Sequence, residues 1–356
     1  MSIKYRNHWA MDESFDGPLL NTCQKAVDIV DRDKEIADLK ETMKDGTSNI
    51  HIYGARGTGK TILGRRLADS SPDSADACYL NCTTHETQYK ALIALCSHFS
   101  GQEIKTGQHT SQLQNQLREI TSGEETIIVL DEVDFLLEND GNELIYFLSR
   151  MHGQTRIITI SSNYPTLSSI LDGRTYSSYR PRSIRFPPYT TDQLAAILRA
   201  QMAEQRTQAH NITPFLEFIA DATSNAKFAL HWLDYAINLD VDDTPAKIAK
   251  RAREKATTQY WYHLLNDFTT HHVILLESIS QLEAEYGTKI RSGDAFRRYR
   301  EMCEIVEERP LSNRRVSDYL RDLELLDIVE TERLLGGKLG RTTKLQLNRP
   351  DQLTQS

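Results

Sequence analysis

The sequence predicts an α/β domain built on a parallel sheet, then an all-helical domain, then a C-terminal module of three helices and a hairpin. Three observations carry that prediction. Short apolar runs alternate with helical patterns through the first half of the chain, one of them ends in a glycine-rich turn, and strand-like runs cease after Pro187-Pro188 until the last quarter. At roughly 100–200 residues per domain, 356 residues make two or three cores.

The elements follow in order. NIHIY (49–53) reads as a strand, and a helix pattern follows it with apolar residues at Ile62, Leu63 and Leu67. ACYLN (77–81) is a second buried strand, with helices over 89–99 and 112–120. Ile127-Ile128-Val129-Leu130 is a third strand, 142–151 a helix and 156–160 a fourth strand. Strands apolar on both faces and separated by helices form parallel sheets covered on both sides. Segments 191–206, 214–222 and 227–238 have helical apolar spacing with no strand between them, and 240–245 is polar and turn-rich. A helix over 246–262 leads to the last module. The expected domains are 1–188, 189–262 and 263–356.

Lys and Arg number 42 against 50 Asp and Glu, a net charge of −8, which argues against bulk coating of nucleic acid and leaves a local DNA-binding face open. No apolar run approaches the ~20 residues of a membrane helix, and MSIKYRNHWAMDESFDG holds no secretory stretch, so a cytoplasmic, nucleoid-associated protein without membrane partners is expected. Cys23, Cys78, Cys82, Cys96 and Cys303 are too sparse for a disulfide framework and lack zinc spacing; they read as structural thiols.

Gly54-Ala55-Arg56-Gly57-Thr58-Gly59-Lys60-Thr61 fits G-x-x-x-x-G-K-[ST], with a strand before it and a helix from Ile62 after it. Glycines let backbone N–H groups close around phosphate oxygens, and the helix adds its positive end. Lys60 is expected on the β- and γ-phosphates of ATP, or the β-phosphate of ADP, and the Thr61 hydroxyl on Mg²⁺. Sixty-six residues beyond Thr61 begins IIVLDE: Asp131 completes the Mg²⁺ shell and Glu132 is the natural general base for an attacking water. The next strand ends in Ser161-Ser162-Asn163, a polar tip able to contact the γ-phosphate or position water.

Together these residues resemble an AAA+ ATPase. Leu171-Asp172-Gly173-Arg174, the run Ser177 to Tyr189 with Phe186-Pro187-Pro188-Tyr189, Gln193-Leu194, Ile197-Leu198, Asp131 to Asp134 and Tyr79 to Cys82 are similar to the archaeal Orc/Cdc-type replication initiators over nearly the whole chain, including a C-terminal winged helix. The resemblance implies sensor 1 at Asn163, an arginine finger at Arg174 reaching a neighbouring subunit's γ-phosphate, and a lid-junction tyrosine near the nucleotide at Tyr189. A solvated loop arginine and a packed junction aromatic are the alternatives for the last two. Where the family reads G-D-A-R at sensor 2, this chain reads Ser224-Asn225-Ala226-Lys227; Lys227 keeps the charge without the guanidinium fork, and Gln201 replaces an arginine, which implies slow ATP hydrolysis. Val30-Asp31-Arg32-Asp33-Lys34-Glu35-Ile36 is similar to the family's adenine-side motif.

In the last module Ser312 is a good N-cap, Val316, Leu320 and Leu323 share one helix face, and Arg314, Ser317 and Arg321 share another. With Arg315, and with Lys338 and Arg341 on a hairpin wing, they form a candidate DNA reader: a helix for the major groove and a basic wing for the backbone. The segment 266–356 holds 14 basic and 16 acidic residues, so the contact would be local. The reading is an ATP-dependent replication initiator on origin duplex DNA, with further copies or paralogues and a replicative helicase as partners. A regulatory or mobile-element ATPase, whose winged helix binds protein or other DNA, is the alternative.

Overall fold

Ile50–Tyr53 (β1), Ala75–Asn81 (β2), Glu125–Asp131 (β3), Thr155–Ser161 (β4) and Arg182–Arg185 (β5) pair in parallel in the order β2-β3-β4-β1-β5. They belong to a computed structural model that describes residues 31–44, 48–69, 75–123, 125–151, 155–204, 213–239, 244–287, 289–334 and 342–350. The chain divides into two units, Asp28–Gln193 and the part from Leu194 onward.

In the first unit the strand alternation divides the core. Ile128, Leu130 and Ile157 pack on one face with Leu92 and Leu95 of α3 (Gln88–Ser100), Leu113 and Leu117 of α4 (Thr110–Ile120) and Leu144 of α6 (Gly141–Leu148). Ile127, Val129, Ile158 and Ile160 pack on the other, with Leu39 of α1 (Asp33–Lys44) and Leu63 of α2 (Lys60–Asp69). A short α5 (Val133–Leu137) follows β3, and α7 (Gly173–Tyr179) precedes β5. The sequence pattern missed α1, the short α5 and α7, and β5. β5 is an edge strand with Ile184 alone buried, so it shows no apolar run; α1 buries only Leu39 and Thr42.

From Leu194 onward the expected helices are present: the rest of α8 (Thr191–Glu204), α9 (Thr213–Ala222), α10 (Ala226–Asn238) and α11 (Pro245–Leu264). Trp232 is buried and donates its indole N–H to Ala249 O at 2.6 Å, which ties α10 to α11. There follow α12 (Thr270–Tyr286), β6 (Ile290–Arg291), α13 (Ser292–Ile305), α14 (Asn313–Leu325), β7 (Val329–Leu334) and β8 (Thr342–Leu347), with the strands antiparallel in the order β6-β8-β7. Three helices and a hairpin are the expected winged-helix order; the two-residue β6 is an addition too short to leave a pattern. Thr223 donates to Pro350 O at 2.9 Å, linking the end of this module to the segment between α9 and α10.

Cys78, Cys82, Cys96 and Cys303 are buried free thiols, and Cys23 lies outside the described residues. Among the described residues no helix is long and apolar enough to cross a membrane.

Candidate functional site

The phosphate loop leaves the carboxyl end of β1 and its last two residues open α2. Gly54 has φ +154°, and a Cβ there would stand 2.1 Å from Phe186 O, so glycine is required for the loop to pass under the chain that follows β5. Gly57 and Gly59 also have positive φ. The Thr58 hydroxyl donates to Ala55 O at 2.9 Å and braces the turn.

Lys60 is 5% exposed, and its ammonium donates to Gly54 O at 2.7 Å and Ala55 O at 2.8 Å. Burial pushes it down to about 8, against the pull of Glu132, Asp131 and Asp134. Asp131 is 1% exposed at the end of β3, and burial, with Glu132 beside it, holds its carboxyl above the ordinary range. Tyr79 donates to Asp131 Oδ2 at 2.6 Å, the Glu132 N–H donates to Oδ1 at 2.9 Å, and Thr61 hydrogen-bonds the same carboxylate. A buried ammonium beside a buried carboxylate that bonds the Thr61 hydroxyl fits a magnesium polyphosphate: phosphate oxygens suit the ammonium, and Mg²⁺ takes one or two protein oxygens while keeping waters and phosphates.

Glu132 opens α5 with φ +52° and does not cap that helix with its side chain. Both its oxygens accept from Arg56, Nη1–Oε1 at 2.7 Å and Nη2–Oε2 at 2.9 Å. Asp134 is fully buried; it accepts from Ser161 Oγ at 2.6 Å and Ser162 N at 2.9 Å, and burial raises its carboxyl to about 6. It anchors the tip of β4, from which exposed Asn163 projects. Ile62 is 37% exposed on the first turn of α2.

Tyr189 is buried against Arg32, whose guanidinium lies 3.9 Å from the ring centroid. Arg174 is exposed on α7, 4.0 Å over the Tyr146 ring, in a cavity of about 570 Å³ shared with Arg118 and Arg150; no phosphate-loop residue lines it. Lys227 stands in the second unit, half-buried on the first turn of α10.

A family model described as an AAA domain matches residues 43–164, and one described as the CDC6 C-terminal winged helix domain matches 263–355. An ORC1-type DNA replication protein of Methanocorpusculum labreanum is 31% identical over 334 residues, covering 85% of this chain and 79% of that protein. This chain belongs to the ORC1-type DNA replication proteins. A relative of the same name from Thermococcus onnurineus is 28% identical over 326 residues, 85% of this chain and 79% of its own. The structure of the Aeropyrum pernix ORC1 protein in complex with DNA superposes with a TM-score of 0.66 at 25% identity, covering 90% of each chain. This agreement over most of the chain does not favour the alternative of a regulatory or mobile-element ATPase whose winged helix binds protein or other DNA.

In this ORC1-type chain α14 is capped as expected, with Ser312 Oγ accepting from the Arg315 N–H. Val316, Leu320 and Leu323 are buried, and Arg314, Arg315, Ser317 and Arg321 are exposed. Lys338 and Arg341 lie outside the described residues. The sequence reading gave no role to the side chains of Arg32, Tyr79 and Asp134. Each lies inside a motif noted for its resemblance; Tyr79 and Asp134 also stand out as polar side chains among apolar neighbours, whereas Arg32 lies in a charged run and gives no such signal.

Proposed function

We propose that this chain is an ATP-switched initiator of DNA replication that binds origin duplex DNA. Residues 1–188 would form the ATPase core, 189–262 the lid and 263–356 the DNA reader. The observation that carries the nucleotide part is Lys60, a buried ammonium at the start of α2 whose donors reach the loop carbonyls of Gly54 at 2.7 Å and Ala55 at 2.8 Å.

Backbone N–H groups from Gly54 to Ile62 cradle the phosphates, with Ala55, Arg56, Gly57, Thr58 and Gly59 shaping the loop. Lys60 moves from the carbonyls to the β- and γ-phosphates. Thr61 and Asp131 would hold Mg²⁺, which would supply positive charge against the phosphate oxygens. Glu132 takes the proton of the attacking water and Asn163 orients that water, on a strand tip fixed by Asp134. Tyr189 and Lys227 contact the nucleotide from the lid side, and Arg174 serves the site of a second copy or paralogue. ATP hydrolysis is slow and times the DNA-bound state, on which a replicative helicase is recruited.

On DNA, α14 enters the major groove with Arg314, Arg315, Ser317 and Arg321, while Lys338 and Arg341 reach the backbone from the wing. The A. pernix ORC1 protein, solved in complex with DNA, supports DNA binding by this chain. Footprinting on DNA flanking the protein's own gene, with ATP, with ADP and without nucleotide, tests it. A protected, sequence-specific site that depends on the nucleotide is expected; no protection in any state sinks the proposal. Glu132→Gln is expected to keep ATP binding and abolish turnover.

A further inference from the structure

Glu132, the base of the proposed hydrolysis, is not free to act as one in this arrangement. Its main chain is pinned on both sides: the N–H donates to Asp131 Oδ1 at 2.9 Å, and the carbonyl accepts from Phe135 N at 3.2 Å. Its φ of +52° is a conformation that non-glycine residues adopt at some energetic cost, so the surrounding contacts hold it there. What remains free is the side chain, and both its oxygens are engaged by one guanidinium, in a fork with Arg56 at 2.7 and 2.9 Å. The pair is sheltered, with Arg56 9% and Glu132 18% exposed at the side chain.

Arg56 occupies a variable position of G-x-x-x-x-G-K-T. A phosphate loop works through its N–H groups and its lysine, so nothing in the cradle requires an arginine side chain there. The arginine sits between Gly54 and Gly57 on a turn that Thr58 braces, and it spans 76 residues of sequence to reach β3's acidic end. We infer that Arg56 is a positioning residue that holds Glu132 away from water, so that the pair must open before hydrolysis and keeps turnover slow. The inference rests on the reading of Glu132 as base. In the reaction, Glu132 accepts a proton from water as the water oxygen bonds to the γ-phosphorus. The bond from that phosphorus to the bridging oxygen breaks, its electron pair leaves with ADP, and the proton passes on to the released phosphate. The fork takes a lone pair on each carboxylate oxygen and turns the group toward the loop, so it must swing away from Arg56 to meet that water.

The test uses the full chain as wild type, Arg56→Gln, Arg56→Lys, Glu132→Gln and the Arg56→Gln/Glu132→Gln double variant. In nucleotide-free protein, each Gln single variant is expected to melt about 2–4 °C lower, and the double variant no lower than the worse single. Fully additive shifts would show that the two side chains do not pair and overturn the inference. With saturating Mg-ATP, Arg56→Gln is expected to raise kcat at least threefold with KM within threefold of wild type, and Arg56→Lys to fall between. Arg56→Lys keeps one charge without the fork and carries the comparison if Arg56→Gln does not fold. Turnover lost in Glu132→Gln but not raised by either Arg56 variant overturns the inference alone. Turnover surviving Glu132→Gln overturns the base assignment and this inference with it.

Discussion

Arg32 stacks on Tyr189, guanidinium carbon to ring centroid 3.9 Å, and from that position reaches both the phosphate loop and the chain after β5. Its Nη2 donates to Pro187 O at 2.6 Å and its Nε to Thr58 O at 3.3 Å, and the side chain is 1% exposed. One buried cation therefore fixes the loop, the Pro187–Tyr189 segment and the start of α1 relative to one another. Arg32→Ala strands two carbonyls and leaves a void, and is expected to destabilise the first unit by about 2–4 kcal/mol. Arg32→Lys keeps charge and loses the planar stack, so it should recover less than half of that loss. Thermal melting of the two variants, alongside ATP affinity, checks the prediction; affinity is expected to fall in both.

Two glycines separate backbone need from incidental composition. At Gly54 a Cβ meets a carbonyl oxygen at 2.1 Å, so Gly54→Ala should yield little folded protein and no ATP binding. At Gly173, the first residue of α7, a Cβ meets nothing within 4 Å and φ is ordinary, so Gly173→Ala should be neutral or stabilising by about 0.4–1 kcal/mol. Equal losses of soluble yield in the two variants would contradict the steric account.

The contrast between what could and could not be read from the sequence has a physical basis. β3 and β4 were legible because burial on both faces makes every central residue apolar, and the phosphate loop because its function lies in contiguous backbone. β5 was not, since an edge strand with exposed Arg182, Ser183 and Arg185 has no periodic apolar signal. The Arg56–Glu132 fork joins residues 76 apart, and Arg32 to Pro187 spans 155; pairings at such separations exist only once the sheet order is known. The roles of Arg174, Tyr189 and Lys227 came from resemblance alone. The exposed face of α14 was legible because helical periodicity decides it.

His51 supplies a pH dependence with a definite sign. It is fully buried in β1, its Nε2 donates to Tyr164 O at 2.8 Å and its Nδ1 faces the Thr159 hydroxyl at 2.9 Å. Burial pushes it down to about 4, so the imidazole is neutral in the folded protein while the unfolded chain titrates near 6.5. Between those values the unfolded chain binds more protons, so stability is full above 6.5 and falls as the pH drops toward 4. His51→Gln removes this term. The variant should be less stable than wild type at pH 8, and the gap should narrow by about 2–3 kcal/mol at pH 4.5. Measuring the difference isolates His51 from Asp134, whose carboxyl, raised to about 6, acts with the opposite sign. A constant gap across that range would show that His51 is not buried neutral.

The charge of the last quarter decides how DNA is held. With 14 basic and 16 acidic residues in 266–356, attraction to duplex cannot come from the module's total and must come from where its arginines stand. On α14 the exposed Arg314, Arg315 and Arg321 share their surface with exposed Asp318, so few phosphates can be neutralised at once. Arg315 also lies 5.4 Å from the Tyr319 ring, which limits its reach. Binding should therefore show a shallow dependence of log K on log salt, and each phosphate-contacting arginine should carry a large share of it. Arg314→Ala is expected to lower the magnitude of that slope by about 1, and Arg314→Ala with Arg321→Ala by about 2, with affinity falling alike on specific and unrelated duplexes wherever the contact is to phosphate. Loss confined to the specific duplex, at unchanged slope, would instead place these arginines on base edges. Unchanged affinity for both duplexes would remove α14 as the reader.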